Sequence, residues 1–235
     1  MRLGRLVSGA LATCAPAALL LVAGSGCGEP APGRDRPGAA TVAQTATDTG
    51  GSATGASAAL PLLAFDSEVV RLDARGDSLE ITGTYTLLRR RAVAAALSIF
   101  YPYPEDSRLG GARTLFAEWR RVAGGDSDAG WTPLPYREVG RPPGALWSLP
   151  PGAADTLQVR TAYRQARFPT YGRYILTTTR AWGAPLRRAR FEVFLPAAAR
   201  APRFSHPFVP EDGHFTFSAR DFLPTEDLWV EWRQK

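Results

Sequence analysis

A strict alternation of apolar and polar side chains is the feature of this sequence that most restricts its fold. Within residues 78–87, glutamate and threonine side chains occupy one face. The other face carries Leu79, Ile81, Tyr85 and Leu87. A period of two residues is that of a β-strand, whose successive side chains point to opposite faces. We therefore predict a half-buried strand, and Gly83 on its inner face predicts a bulge or a close approach of another group.

Residues 171–196 show strand character twice. Residues 173–179 are rich in Tyr, Ile and Thr, which favour strands, and residues 189–195 alternate in polarity. A corner containing Trp182, glycine and proline separates them. We predict a hairpin of two strands, with Trp182 packed on the core beside the turn.

Further segments have the composition or the alternation of short strands. They are residues 69–72, 92–101, 113–122, 131–136, 145–149, 155–163, 203–205, 214–218 and 228–233. Residues 131–136 and 145–149 lie between prolines, which favours sheet edges. The predicted fold class is all-β. It is an antiparallel, immunoglobulin-like β-sandwich of about eleven short strands, or two half-sandwiches that meet near residues 135–151.

The N-terminus has the pattern of an export signal. Arg2 and Arg5 precede the weakly apolar residues 6–23, so we predict that residues 1–26 are a signal peptide. The run is marginal for a permanent membrane span, which needs about twenty apolar residues.

Gly24, Ser25, Gly26 and Cys27 resemble the lipobox of bacterial lipoproteins. In that family the cysteine is diacylated and becomes the new N-terminus, so the resemblance implies lipidation of Cys27 and a membrane anchor. This chain has Gly24 where the family usually has an aliphatic residue. Cleavage near residues 23–25 and an uncleaved anchor are the alternatives.

Residues 27–59 are predicted to form a disordered tether. After Cys27 this stretch is made of Gly, Ala, Pro, Thr and Ser with almost no large apolar side chain. Such a composition cannot bury enough surface to offset the entropy of ordering. The folded domain is therefore assigned to residues 60–235.

A second resemblance concerns residues 67–110. They contain a strand, a Gly-Asp turn, a Thr-rich strand and then the run Ile99-Phe100-Tyr101-Pro102-Tyr103-Pro104. This is similar to the opening of the vault/inter-alpha-trypsin type of β-sandwich, in which a strand ends in a Phe/Tyr-Pro-x-Pro corner. It also resembles uncharacterised exported bacterial domains with a later Trp-Gly/Pro hairpin. The resemblance implies a binding or structural module and brings no catalytic residues.

Charge and cysteine content exclude several classes of function. The formal charge of +6 is carried almost wholly by arginine, and part of it lies in the signal, so we do not expect nucleic acid as a partner. The two cysteines, Cys14 and Cys27, both precede the folded domain. That domain therefore has no disulfide, thiolate nucleophile or cysteine-based metal site, and we expect no cofactor.

The candidates for chemistry are few. His206 and His214 flank Glu211 and Asp212, and together they could hold zinc in a metal-assisted envelope hydrolase. Their spacing matches no familiar ligand pattern, so a polar loop is the preferred interpretation. Three adjacent carboxylate pairs are interpreted as turn residues rather than as general acid–base pairs. They are Glu105–Asp106, Glu211–Asp212 and Glu226–Asp227.

Two arginine clusters and one tryptophan are candidate surface contacts. The clusters are Arg89, Arg90 and Arg91, and Arg187 and Arg188 with Arg190. They could contact anionic lipid or acidic polysaccharide, or simply discourage pairing between sheet edges. Trp229 is predicted on the outer face of the last strand, opposite Leu228, Val230 and Trp232. Tyrosines such as Tyr103 and Tyr171 could line a sugar- or peptide-binding groove, although core packing explains them as well.

The sequence thus favours an exported, membrane-anchored lipoprotein that faces the periplasm or the cell exterior. We expect a non-catalytic binding or structural domain of a bacterial envelope, with an envelope protein as a candidate partner. An enzyme using His206 and His214, or a module that contacts carbohydrate or anionic lipid, are the alternatives.

Overall fold

The computed structural model describes residues 21–22, 62–122, 130–167 and 170–235. Strands make up most of these residues, with one 3-10 helix, Thr177–Trp182, among them. The strands are β1 (Leu21–Val22), β2 (Leu63–Asp73), β3 (Ser78–Arg89), β4 (Leu97–Pro102), β5 (Leu109–Arg121), β6 (Thr132–Pro133), β7 (Tyr136–Gly140), β8 (Pro143–Leu149), β9 (Asp155–Arg167), β10 (Tyr171–Tyr174), β11 (Leu186–Phe194), β12 (Ala199–Phe204), β13 (Val209–Glu211), β14 (His214–Phe222) and β15 (Leu228–Gln234). The all-β class is confirmed.

The described strands form three sheets. The eight-stranded sheet has the order β13-β14-β11-β2-β3-β9-β5-β6, the four-stranded sheet β1-β4-β8-β7 and the three-stranded sheet β10-β15-β12. Neighbouring strands are antiparallel except β11 and β2, which pair in parallel. The large sheet is therefore mixed, whereas the sequence analysis predicts antiparallel pairing throughout.

One buried cluster joins the three sheets. The predicted inner face of β3 is confirmed, because Leu79, Ile81, Tyr85 and Leu87 are all buried. The ring of Tyr85 packs at centroid distances of 5.7 Å from Tyr101 of β4 and 5.9 Å from Trp147 of β8. The same ring covers Gly83, where an added Cβ would clash with the Tyr85 hydroxyl. The close approach of another group that we predicted at Gly83 is thus made by the Tyr85 side chain.

The predicted hairpin of residues 171–196 is wrong. β10 pairs with β15, and β11 pairs with β14 and β2, so the two segments lie in different sheets. The chain leaves β10 at Tyr174 because the carboxylate of Asp227 accepts the backbone N–H groups of Leu176 and Thr177 and starts the 3-10 helix. Trp182 packs on the core as predicted, with its ring 5.7 Å from that of Phe65.

The predicted edge position of residues 145–149 is also wrong. β8 lies between β4 and β7, whereas β6, within residues 131–136, does end the large sheet. Residues 135–151 hold the β7–β8 hairpin instead of a boundary between half-sandwiches. Trp147 and Leu149 of that hairpin belong to the same buried cluster as the strands before and after it.

Several predictions fall outside the described residues. They concern Cys27, the tether of residues 27–59 and all of the signal except residues 21–22, whose backbone pairs with β4. None of the described helical residues belongs to a helix with the length and apolarity needed to cross a bilayer.

Candidate functional site

A groove of about 890 Å³ opens beside the three-stranded sheet. β10 and β15 supply one wall, and the segment between β4 and β5 supplies the other. Among its lining residues are Asp106, Arg108, Tyr171, Arg173, Asp227 and Trp229. A concave site with aromatic side chains and a few convergent polar groups is typical of small-ligand binding sites.

Asp227 and Arg173 form the fixed part of this groove. The Nη2 atom of Arg173 lies 2.6 Å from Oδ2 of Asp227. The other carboxylate oxygen of Asp227 accepts hydrogen bonds from the backbone N–H of Thr177 at 3.0 Å and from its hydroxyl at 2.8 Å. Burial opposes ionisation here, but these hydrogen bonds hold the pKa of Asp227 below its usual value. The carboxylate is therefore ionised and fully engaged at neutral pH.

Arg108 connects the two walls. Its guanidinium lies over the ring of Tyr171, 3.5 Å from the centroid, which is a cation–π geometry. It also forms ion pairs with Asp106 and with Glu231 of β15. Asp106 in turn accepts hydrogen bonds from the backbone N–H of Arg108 and from the Tyr171 hydroxyl. Asp106 and Asp227 both lie in connections between strands, and their carboxylates tie the groove walls together.

Arg180 and Glu226 supply charges at the groove rim. Both are exposed, and neither has an ion-pair partner within 4 Å among the residues that the structure describes. In contrast to Arg173 and Asp227, they are available to a ligand without loss of an internal interaction.

A cavity of about 40 Å³ lies beside the groove. The two share Pro102, Ile175 and Thr178 as lining residues. The cavity walls are mainly aromatic and comprise Phe65, Tyr85, Tyr101, Trp147, Tyr174 and Trp182. One carboxyl group, that of Glu68, lines this aromatic space.

Glu68 is only 2% exposed. A register shift between Phe65 and Ser67 precedes it in β2, and Glu68 then faces inward with Val70 and Leu72. The Tyr174 hydroxyl donates to Oε2 of Glu68 at 3.3 Å, while Oε1 has no hydrogen-bond partner among the described residues. Burial raises the pKa of Glu68 to about 8, and the Tyr174 hydrogen bond only partly opposes this. The side chain is therefore mostly protonated at neutral pH.

Three tyrosine hydroxyls continue from Glu68. The hydroxyl of Tyr85 lies 2.8 Å from that of Tyr101 and 3.2 Å from that of Tyr174. Burial raises the pKa of all three phenols far above the usual value, so they stay neutral. The sequence analysis missed Glu68, although a charged residue in phase with Val70 and Leu72 was the available signal.

No protein-family model matches this chain, and no curated protein matches it. Several solved structures are similar to part of the chain at low identity. A candidate nutrient-binding protein from Legionella pneumophila is 15% identical, with a TM-score of 0.49, over 73% of this chain and 68% of that one.

The M1 zinc metallopeptidase from Deinococcus radiodurans is 14% identical, with a TM-score of 0.42, and the match covers 72% of this chain and 42% of the peptidase. Leukotriene A4 hydrolase from Saccharomyces cerevisiae is 8% identical, with a TM-score of 0.48, over 72% of this chain and 29% of the hydrolase. The chain thus spans less than half the length of either enzyme. Similarity at this level does not indicate a function for this chain.

The two histidines lie in separate aromatic surroundings. The Nδ1 atom of His206 shares a hydrogen bond of 2.8 Å with the Ser205 hydroxyl, and the ring packs on Phe217 and Phe222. Burial lowers the pKa of His206. His214 stacks on Phe194 at a centroid distance of 4.6 Å. Among the described residues, no three His, Cys, Asp or Glu side chains form a group that could hold a metal ion.

Arg89 is not a surface residue, so its prediction as a surface contact is wrong. It is 2% exposed, and its Nη2 donates to the carbonyl of Pro150 at 2.8 Å, with Asp155 at 3.7 Å. Arg90 and Arg91 are exposed. The side chain at the end of β3 points inward because Arg89 continues the buried phase of that strand.

The second arginine cluster lies at the start of β11, an interior strand of the large sheet. Arg187 pairs with Asp66 at 2.9 Å. Arg188 is exposed and lies directly opposite Arg220 of β14. Arg188 and Arg220 line a second groove of about 540 Å³.

Trp229 occupies the face that the sequence predicted. Leu228, Val230 and Trp232 are buried, whereas Trp229 is half-buried and lines the large groove. Tyr103 and Tyr171 also line this groove, although both are mostly buried.

Proposed function

We propose that this protein is a membrane-tethered, extracytoplasmic binding domain of a bacterial cell envelope, without catalytic activity. The observation that carries the proposal is the groove beside β10 and β15, in which fixed ion pairs, rim charges and the half-buried Trp229 converge. An indole face beside planar carboxylate and guanidinium groups suits a sugar or a peptide.

The proposed absence of catalysis is supported by the state of two of the carboxylates that line the groove. Asp106 and Asp227 are paired with arginine, and hydrogen bonds hold both pKa values below the usual range despite burial. A general acid or base needs a pKa near the working pH and a free path to the substrate. Neither carboxylate has these properties.

The proposal also includes the membrane anchor and the packing of the three sheets. Cys27 carries the lipid anchor and residues 27–59 hold the domain away from the membrane. The three sheets pack as an immunoglobulin-like sandwich, which is supported by the buried cluster that takes residues from all of them. The mass of the mature chain tests the anchor, because an unmodified mass would contradict lipidation at Cys27.

Crosslinking in the intact membrane tests the binding function. The full chain is compared with a variant in which the groove side chains Arg180 and Trp229 are replaced by Ala. We expect a recurrent protein or glycan adduct on the wild-type chain and at least a fivefold lower yield from the groove variant. A control variant, R90A/R91A, should give the wild-type yield. Equal adducts from all three chains would contradict a role for the groove.

The pairing of Arg188 with Arg220 favours a second candidate, contact with anionic lipid. Like charges directly opposite on neighbouring strands destabilise a sheet unless a counter-ion joins them. Ser67, Ser218 and Gln158 line the same groove and add hydrogen-bond partners for an oxyanion. Vesicles of phosphatidylglycerol should then bind the unlipidated chain more tightly than phosphatidylcholine vesicles, and the R188A/R220A variant should lose this difference. Binding that R90A/R91A reduces instead would contradict this candidate.

A further inference from the structure

Glu68 is a buried carboxyl group that the packing of the core does not explain. Among the described residues, no Arg or His nitrogen lies within 4 Å of it, and its Oε1 has no hydrogen-bond partner. A buried polar atom without a partner costs free energy, and an apolar side chain of similar volume would avoid this cost. Such a group in a cavity is a candidate for a functional site.

The walls around Glu68 suit a cation. Phe65 lies 5.7 Å from Trp182 and 5.9 Å from Tyr85 between ring centroids, and Tyr85 lies 5.9 Å from Trp147. Aromatic faces attract ammonium groups, most strongly where water is excluded. A carboxyl group surrounded by these rings combines the two partners that an organic cation prefers.

The size and position of the cavity restrict the ligand further. A volume of about 40 Å³ accepts a terminal group of a few atoms, because one water needs about 10–15 Å³ on this scale. Four of the cavity side chains are only half-buried, so the cavity reaches the surface. They are Phe65, Ile175, Thr178 and Trp182. Ile175 and Thr178 also line the groove, which leaves the rest of a longer ligand a place to lie.

We propose that this cavity is a subsite for a primary ammonium or small alkylammonium group. The proposal rests on the proposed function only in placing the remainder of that ligand in the groove. When the cation enters, the Glu68 carboxylic acid releases its proton to solvent and the resulting carboxylate pairs with the ammonium group.

Binding should therefore be linked to pH. The other titratable groups that line the cavity are the phenols of Tyr174, Tyr85 and Tyr101, and all three remain neutral over the accessible range. Glu68 is then the group whose ionisation limits binding, and affinity should rise with pH until its own pKa is reached.

A titration with n-butylammonium chloride tests the subsite. The full chain is titrated at pH 6 and pH 8 against matched sodium chloride, and the fluorescence of Trp147 and Trp182 reports binding. We expect a saturable change and an affinity at least tenfold higher at pH 8 than at pH 6. E68Q should weaken binding at least tenfold and remove the pH dependence. E80Q, a matched change on the outer face of β3, should bind as the wild type does.

Two further measurements distinguish loss of the subsite from loss of folding. Circular dichroism establishes that E68Q is folded, and W182L provides a second variant that removes an aromatic wall and should also weaken binding. Equal binding by E68Q and the wild type, or no saturation, would overturn the cation subsite. If crosslinks from the groove persist in that case, the proposed binding function stands and only the subsite is wrong.

Discussion

The guanidinium of Arg173 and the carboxylate of Asp227 lie 2.6 Å apart and join β10 to the turn before β15. The same carboxylate accepts the N–H groups that begin the 3-10 helix. A single side chain thus fixes three segments of the groove wall.

Replacing Asp227 with Asn should therefore cost about 1–3 kcal/mol of unfolding free energy, because Arg173 loses its charged partner in a half-buried position. The folded-state pKa of Asp227 is lowered. The contribution of Asp227 to the free energy of unfolding is therefore present above the unfolded pKa and is lost as pH falls through the folded pKa. Urea denaturation at pH 7 and pH 3 measures both effects. The neighbouring E226Q should stay within about 0.5 kcal/mol of the wild type. Equal losses from D227N and E226Q would contradict the role of Asp227.

Glu68 should make the protein less stable as pH rises. Its folded pKa of about 8 lies above the ordinary value of 4.5, so the folded state binds the proton more tightly than the unfolded chain does. The contribution of Glu68 to the free energy of unfolding is fully present below the unfolded pKa and is lost between pH 4.5 and pH 8. We expect a decline of about 3 kcal/mol between pH 5 and pH 8.

The variant E68Q isolates this effect. The amide that replaces the carboxyl group has no proton to lose, so the stability of the variant should vary little over the same pH interval, apart from the contribution of other groups. Denaturation curves of both chains at pH 5, 6.5 and 8 provide the comparison. Parallel pH profiles would show that Glu68 is not the buried titrating group.

Arg89 and Arg90 are adjacent and should respond differently to truncation. R89A leaves the carbonyl of Pro150 and the carboxylate of Asp155 without the buried guanidinium, and should cost about 2–4 kcal/mol. Arg90 is exposed, so R90A should stay within about 0.5 kcal/mol of the wild type. Chemical denaturation of the two variants decides the matter, and similar values would mean that Arg89 faces solvent.

Trp229 and Trp232 offer a matched comparison within β15. Trp232 is 4% exposed, and W232A should cost about 3–5 kcal/mol through lost burial and the cavity left behind. Trp229 is half-buried in the groove wall, so W229A should cost less than about 1.5 kcal/mol. Thermal and urea unfolding measure both variants. A larger loss from W229A than from W232A would mean that the faces of β15 are inverted.

The sequence predicts individual strands where one face is buried, and it fails on their partners. Leu79 and Ile81 reveal the inner face of β3 because burial imposes a period of two. The same period says nothing about which strand lies alongside. Proximity in sequence therefore favours β11 as the partner of β10, whereas the actual partner, β15, is separated from β10 by most of the C-terminal region.

The failure to predict the candidate site from the sequence has a similar cause. Glu68 and Arg89 are in phase with buried neighbours on their strands, but charged side chains are rarely buried, so their residue type argues against a core position. Their burial depends on groups distant in sequence, the Tyr174 hydroxyl for Glu68 and the Pro150 carbonyl for Arg89. The groove likewise combines the β4–β5 segment with β10 and β15 and has no local sequence motif.

Photo-crosslinking from the groove is the sharpest test of a ligand site there. A photoreactive amino acid is placed at the rim position of Arg180 or Thr225, and in a control chain at Asp77 in the turn between β2 and β3. Each chain is irradiated in the intact native envelope, and its adducts are identified by mass spectrometry. We predict one recurrent adduct from both rim positions and none of it from Asp77. The same adducts from all three positions, or none from the rim, would contradict a ligand site in the groove.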